Sequence, residues 1–491
     1  MTVEEVLAGV RVTDAAGVSW GAPVAGLEYD SRRVDRHFLF FAFPGARTDG
    51  RQFASAAAEK GALATVSELE RPEYFHGPWI RVEHGRRALA IAAKNFYHRP
   101  DERLQLTGIT GTNGKTTTSF LIDSVLRSAG KTTGLIGTVE YHVAGQVLPA
   151  LNTTPESLDL FRILERVERA GGTHIIAEIS SHALALGRVY GILFHTAVFT
   201  NLTRDHLDFH QTMEEYFRAK RLLFRPEGSP APRYAVINID DASGQEINPL
   251  PETNVFWYGL NESATVRAVD VQAGFDGLSF TLLYNGQRAA IKSSLLGAVN
   301  IYNILAAVAT GLTYDLNLET IVRGIAECPQ VPGRFERIDQ GQPFLVIVDY
   351  AHTDDALRNA IAVARGLNAG RVITLFGCGG DRDRSKRPLM GMAAAEASDF
   401  VVLTSDNPRS EDPLDIINDA LVGLRRYDTP HAIEVDREKA IRRAIEEAHP
   451  RDVVLIAGKG HETYQVLKDR TIHLDDREIA RAVLCGFGYG Q

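Results

Sequence analysis

From about residue 101 onward, short apolar runs alternate with longer amphipathic stretches. The runs at 104–109, 133–139, 174–178 and 196–202 read as strands, and the stretches between them carry helical spacing. Strand after helix after strand is the pattern of a largely parallel sheet with helices packed on it. The alternation restarts near residue 336, with strand-like runs at 344–348, 371–376, 400–403 and 453–456. Residues 1 to about 100 mix short strands and helices, and 38–43 (Phe-Leu-Phe-Phe-Ala-Phe) reads as a buried strand. The basic, proline-marked Tyr97-His98-Arg99-Pro100 is a reasonable boundary before the central region, and Val331-Pro332-Gly333-Arg334 closes that region. The expected fold is α/β in three domains: a smaller N-terminal α/β domain (1–100), a central parallel-sheet domain (101–335) and a C-terminal Rossmann-like α/β domain (336–491).

Composition changes this picture little. The 491 residues carry a net charge of −9, from 53 basic and 62 acidic side chains, which argues against a surface that coats nucleic acid. Cys328, Cys378 and Cys485 have neither metal-type spacing nor a plausible disulfide framework, which fits a reducing cytosol. The acidic start Met1-Thr2-Val3-Glu4-Glu5 is not a signal peptide, and no uncharged apolar run approaches membrane-spanning length. A cytoplasmic protein without membrane insertion is expected.

The first central strand feeds the glycine-broken turn Gly111-Thr112-Asn113-Gly114-Lys115-Thr116-Thr117. A helical stretch follows, with Phe120, Leu121, Val125 and Leu126 on one face and Gly130 as its stop. This is the layout of a phosphate cradle. Loop N–H groups and the helix N-terminus face the anion, Lys115 supplies a full charge, and the Thr116 hydroxyl is placed to reach a magnesium ion. The usual pattern has a glycine where this chain has Ile109, so the cradle is a shortened one. We read a nucleoside triphosphate site, which makes the central domain a P-loop ATPase; an ordinary tight turn is the plainer alternative.

Ligands of open parallel sheets gather at the carboxyl ends of the strands. Glu178 ends the run at 174–178 and is followed by Ser180, Ser181 and His182, so it is placed to hold magnesium on the nucleotide. The turn after the next strand carries Asp205, His206, Asp208 and His210, which suit a metal or phosphates as well as a solvated helix start. The amphipathic helix at 214–224 has Phe217, Leu223 and Phe224 as its apolar contacts, and nothing in its pattern distinguishes Lys220 from a surface lysine. The rigid Pro332-Gly333 turn can aim Arg334 at a phosphate. In the last third, strand after strand ends in a polar, glycine-containing loop. The Gly377-Cys378-Gly379-Gly380 loop lacks the full dinucleotide spacing, so nicotinamide binding is discounted.

Together these stretches resemble the Mur ligase family, ATP-dependent enzymes that extend the peptidoglycan stem peptide. The resemblance rests on Asp30-Ser31-Arg32, the loop from Gly111 to Thr117, Asn152-Thr153-Thr154-Pro155, Glu178 to His182, Asp205 to Asp208, Pro332-Gly333-Arg334, Asp349 to His352, Gly380 to Asp383, Asp406-Asn407-Pro408-Arg409 and Gly458 to Glu462, in the family's order. It implies ATP, two magnesium ions and a carbamylated Lys220, with Thr116, Glu178, His206 and Lys220 around the metals. Lys115, Glu178, His206 and Lys220 are the implied catalytic set. Asn303, Arg334 and Asp349 join residues 111–117 on the nucleotide. Tyr29, Ser31, Ala46, Arg47 and Thr48 are implied to hold the UDP end of a UDP-muramoyl dipeptide, and Asn152, Thr153, Thr154, Ser180 and Arg188 the rest of it. Arg382, Asp406, Asn407, Pro408, Arg409, Gly458 and Glu462 form the implied amino-acid site. Here physics adds to the resemblance: Arg409 offers a planar fork to the distal carboxylate of meso-diaminopimelate and repels the cationic end of lysine. The expected reaction joins meso-diaminopimelate to UDP-N-acetylmuramoyl-L-alanyl-D-glutamate through an acyl phosphate, in a monomer. The alternatives are a lysine-adding ligase, another ligase of the family such as a folylpolyglutamate synthase, and a P-loop regulatory ATPase.

Overall fold

The computed structural model describes every residue except Ala46, Arg47, Leu151 and Gln491. The expected binding residues Ala46 and Arg47 therefore lie outside the described residues. The chain divides into two compact units, Met1–Arg267 with Leu305–Gly324, and Ala268–Ile304 with Ile325–Gln491.

The first unit holds two sheets. The N-terminal one runs in the order Val12–Ala16, Trp79–Val82, Ala64–Ser67, Phe38–Phe41, Gly26–Glu28, parallel except for its first strand. The apolar run at 38–43 supplies a strand of four residues, three of them buried. In the central sheet, six parallel strands lie side by side: Asn254–Gly259, Tyr234–Asn238, Thr196–Phe199, Gln105–Thr110, His174–Glu178 and Thr133–Ile136. An antiparallel hairpin, Glu140–Val143 with Gln146–Pro149, extends the far edge. The expected strand at 133–139 thus stops at Ile136. At the turn that follows, a Cβ on Gly137 would lie 2.4 Å from the Glu178 carboxylate, so a side chain there would displace that carboxylate.

The helix Lys115–Ser128 follows the strand Gln105–Thr110 and is buried almost all round, from Thr116 through Leu126, rather than on one face. Gly130, at φ 73°, ends it as expected. The Lys131 amide reaches back to the Leu126 carbonyl at 3.0 Å and the Gly130 amide to Arg127 at 2.8 Å, a Schellman closure that satisfies the last helical carbonyls.

The second unit contains the antiparallel pair Gly277–Tyr284 and Gln287–Ser293 and a six-stranded sheet. That sheet runs Glu336–Ile338, Leu345–Asp349, Val453–Ala457, Val372–Cys378, Phe400–Ser405, His431–Ile433, parallel beyond its first strand. Its strands are apolar throughout because both faces are covered. Leu345 and Ile347 pack into one core with Leu357 and Ile361, while Val346 and Val348 pack into another with Ile441 and Leu484. This is the doubly wound arrangement expected from the sequence, with its strand-end loops along one edge.

Candidate active site

At the phosphate loop, Gly111 (φ 144°) and Gly114 (φ 85°) adopt backbone that L side chains rarely take, and a Cβ on Gly111 would lie 1.8 Å from the Thr200 hydroxyl. The loop is laced to the next strand end. The Thr112 and Asn113 amides donate to the Asn201 carbonyl and side chain at 2.9 Å each, and the Thr200 hydroxyl donates to the Asn113 carbonyl at 2.7 Å. No side chain caps the helix that begins at Lys115. Its first amides have no intrahelical acceptor, which makes this end a fit for an anion. The Lys115 ammonium folds over the loop and donates to the carbonyls of Gly111 at 2.9 Å and Thr112 at 2.8 Å. Thr117 lies half-buried in the first turn.

Glu178, fully buried at its strand end, gathers the hydroxyls that the sequence scattered over three segments. Its carboxylate accepts from the Thr116 hydroxyl at 3.1 Å and from the Thr138 amide and hydroxyl at 2.9 Å each. The Thr153 hydroxyl lies 3.0 Å from that of Thr138, and Thr154 donates to the Glu178 carbonyl at 2.8 Å. Among the described residues, no group of three or more His, Cys, Asp or Glu is disposed to hold a metal ion. The donors on hand are one carboxylate and neighbouring hydroxyls, hard oxygens of the kind magnesium takes alongside phosphate oxygens and water.

Lys220 is where the structure overturns the plain reading of the pattern. It is 1 % exposed, not a surface side chain. The helix Met213–Arg221 is started by Thr212, whose hydroxyl accepts from the Glu215 amide at 3.2 Å, with Glu214 and Glu215 in the first turn to complement the helix dipole. Tyr216, Ala219 and Lys220 form its buried stripe, and Phe217 is only half-buried. The Lys220 ammonium donates to the Gly111 carbonyl at 2.8 Å and lies 4.4 Å from the centre of the Tyr216 ring. Burial, and then the Lys115 charge, push its pKa well below the ordinary lysine value. Tyr216, four residues earlier and one helical turn away, was missed by sequence reasoning. Its hydroxyl lies 3.2 Å from that of Thr112, and burial pushes its pKa up to about 12. Thr138 and Thr200 were also missed, because neither belongs to a motif.

The turn before that helix contains a single helical turn, Leu207–His210, flanked by left-handed His206 (φ 52°) and Gln211 (φ 63°). Three histidines face one another here: the His182 ring is 4.9 Å from His206 and 5.5 Å from His210. Burial lowers all three pKa values, His210 to about 4, so the cluster is neutral at pH 7.

Other expected substrate residues in this unit line up around charges. The Tyr29 hydroxyl donates to Asp159 at 2.5 Å, and its ring stacks on Phe43. The Ser31 carbonyl accepts from Lys60 at 3.0 Å, and Thr48 is exposed. The Asn152 carbonyl accepts from the Tyr141 hydroxyl. Ser180 caps the following turn by accepting from the Ala183 amide at 3.1 Å. Arg188 donates to the Thr154 carbonyl and pairs with Glu156, both at 2.9 Å.

The expected nucleotide set is divided. Residues 111–117 lie in the first unit, while Asn303, Arg334 and Asp349 belong to the second. There, Asn303 is buried and donates to the Asn300 side chain at 2.7 Å. The Arg334 guanidinium lies 4.9 Å from the centre of the Tyr350 ring. Asp349 accepts from the Phe335 and Ala351 amides at 2.8 and 2.9 Å. Burial raises its pKa against the pull of Arg334.

Most residues of the expected amino-acid site lie just after the strands Phe400–Ser405 and Val453–Ala457. Asn407 donates to Glu462 at 2.9 Å, and its side-chain carbonyl accepts from the Val466 amide at 2.9 Å and from Lys459 at 3.3 Å. Lys459, which sequence reasoning passed over, is fully buried and pairs with Glu462 at 2.9 Å. Arg409 is left-handed (φ 53°), fixed by its amide's bond to the Val466 carbonyl at 3.0 Å. Its guanidinium donates to the Gly380 carbonyl at 2.7 Å. Gly380 lies so close under Pro408 that a Cβ would meet the Pro408 carbonyl at 1.9 Å. A Cβ on Gly458 (φ 116°) would come within 2.8 Å of the Asp406 carboxylate. Arg382 is exposed.

Three family models match in sequence order: the Mur ligase family, catalytic domain, over residues 23–97, the Mur ligase middle domain over 109–311, and the Mur ligase, glutamate ligase domain, over 333–460. The chain is 62 % identical to a UDP-N-acetylmuramoyl-L-alanyl-D-glutamate–2,6-diaminopimelate ligase of Solibacter usitatus, with all of both chains covered. It is 48 % identical to the protein of the same name from Geobacillus kaustophilus, covering 94 % of this chain and 95 % of that one. A solved structure of a ligase of that name matches with a TM-score of 0.73 at 32 % identity, covering 100 % of this chain and 99 % of the other.

Proposed function

The chain belongs to the Mur ligase family, and from that premise we propose the reaction and the residues that carry it. The protein is an ATP-dependent, amide-bond-forming ligase of peptidoglycan precursor synthesis. It joins meso-diaminopimelate to UDP-N-acetylmuramoyl-L-alanyl-D-glutamate. A terminal substrate carboxylate oxygen attacks the γ-phosphorus of ATP and ADP leaves. The amine attacks the resulting acyl phosphate, and the tetrahedral adduct loses a proton and expels phosphate, leaving the amide.

The observation that carries this reading is the meeting of an uncapped helix N-terminus, Lys115, the Thr116–Glu178 pair and the buried Lys220 on one glycine loop. Lys115 and the loop amides hold and neutralise the phosphates. Thr116 and Glu178 would hold magnesium, with His206 nearby for a second ion; when bound, the metal supplies charge neutralisation at the transferring phosphoryl group. Lys220, whose pKa burial lowers, has in its neutral form the amine lone pair that adds to carbon dioxide, giving a carbamate and a proton; the carbamate would be a carboxylate-like group able to orient a second magnesium. Arg409 supplies the charge for the far carboxylate of diaminopimelate, with Asn407, Glu462, Gly458 and Arg382 around the rest of it. The boundaries 1–100, 101–335 and 336–491 remain our division of the three domains.

Among the described residues no helix is long and apolar enough to cross a membrane. We place the enzyme in the cytoplasm, as a monomer. The test is product formation from ATP and the UDP-muramoyl dipeptide with meso-diaminopimelate or L-lysine. Amide formed only with diaminopimelate supports the reading, equal rates with lysine remove the role of Arg409, and ATP turnover indifferent to both substrates sinks the ligase.

A further inference from the structure

Within the C-terminal unit, the helices Arg437–Glu446 and Asp476–Gly486 begin with a buried ion pair. Arg437 and Asp476 are both fully buried and joined by two bonds, Nε to Oδ1 at 2.8 Å and Nη2 to Oδ2 at 2.7 Å. Such a pair is a poor source of stability, because desolvating both charges offsets most of their attraction and a packed apolar pair does as well. The remaining donors of Arg437 show another use. Nη1 donates to the Ser405 carbonyl at 3.2 Å and Nη2 to the Ala457 carbonyl at 3.0 Å. Ser405 is the last residue of the strand Phe400–Ser405 and Ala457 the last of Val453–Ala457. These strands do not hydrogen-bond to each other, because Val372–Cys378 lies between them.

The next residue after each carbonyl opens a loop of the amino-acid site: Asp406 to Arg409 on one side, Gly458 to Glu462 on the other. The side chain Nη2 lies 3.9 Å from where a Cβ of Gly458 would stand, and Asp406 lies 2.8 Å from that same point. Resting on the ligase reading above, we propose that Arg437 is a positioning residue for the amino-acid substrate. One planar fork, held in orientation by Asp476, sets the spacing between the two loops that must close on the same molecule. A lysine keeps the charge opposite Asp476 but is a compact point donor that cannot span both carbonyls.

The experiment compares wild type, R437K and the apolar pair R437M/D476M by thermal melting and by steady-state kinetics for each substrate. The expected result is a melting temperature within a few degrees of wild type for the double variant. KM for meso-diaminopimelate rises at least tenfold in both variants, while KM for ATP and for the UDP-muramoyl dipeptide stays unchanged. Should R437K fail to fold, the double variant is read alone. A merely structural role lowers the melting temperature and the active fraction without moving one KM apart from the others, and that outcome overturns the proposal, as does an unmoved diaminopimelate KM in a folded variant. If wild type itself forms no amide from diaminopimelate, the ligase reading fails instead.

Discussion

Two buried lysines, Lys220 beside the phosphate loop and Lys459 beside the amino-acid loops, are treated in opposite ways. Lys459 is matched by a carboxylate, Glu462, at 2.9 Å and by the Asn407 amide oxygen at 3.3 Å. Lys220 has the Gly111 carbonyl and the face of Tyr216, with a second ammonium, Lys115, folded over the same carbonyl. A buried cation with a paired anion is held in place as a strut, whereas burial and a neighbouring like charge lower the pKa of the other. The same residue type therefore supplies rigidity in one unit and, under the proposed carbamate, reactivity in the other.

The largest expected effect comes from breaking the reactive member. Lys220→Ala lowers kcat by three orders of magnitude or more, on the order of 4 kcal/mol of lost transition-state stabilisation. With 13C-labelled bicarbonate, the wild type shows a carbamate carbon by NMR that the variant lacks; a fully active protein without that signal refutes the modification. Next, Arg409→Ala raises KM for meso-diaminopimelate by roughly 30- to 100-fold, the value of a charge-assisted bidentate pair of about 2–3 kcal/mol, and leaves KM for ATP in place. Lys459→Met tests the strut. It frees Asn407 and Glu462, so the diaminopimelate KM rises about tenfold while the carbamate signal of Lys220 persists. Loss of that signal in Lys459→Met would mean that the two lysines are not independent.

The strand-end loops and the two wound sheets were legible because alternation and glycine-bearing turns are local signals. Lys220 was not legible. Its neighbours in sequence make an amphipathic helix whose expected apolar contacts included Phe217, yet the buried stripe is Tyr216, Ala219 and Lys220. Only the Tyr216–Lys220 spacing, which places an aromatic face one turn from the amine, hinted at it. Thr138 could not be found either, since its bonds to Glu178 depend on the turn at Gly137. Arg437 and Lys459 look like ordinary helix-start and loop cations until the burial of each is known.

The same lowering of a cation's pKa by burial extends to the opposite end of the central sheet, and gives the smallest effect. His174 opens the strand His174–Glu178, and His195 directly precedes Thr196–Phe199. The two rings pack on Tyr314, at 5.0 and 4.4 Å between centres, and the Tyr314 hydroxyl lies 2.7 Å from that of Thr107. Burial lowers each histidine pKa from 6.5 to about 4, helped by Lys131 and His195 at His174 and by Arg233 at His195. In the window between those values the unfolded chain binds the proton that the folded chain refuses. Stability is therefore complete above about pH 6.5 and falls as pH drops toward 4. From pH 7 to 5.5 each histidine removes about 1 kcal/mol. His174→Gln cannot take the proton in either state, so it abolishes one such share. Denaturation midpoints measured at both pH values should fall less in the variant than in wild type, and an equal fall in both would show that His174 is protonated in the folded protein.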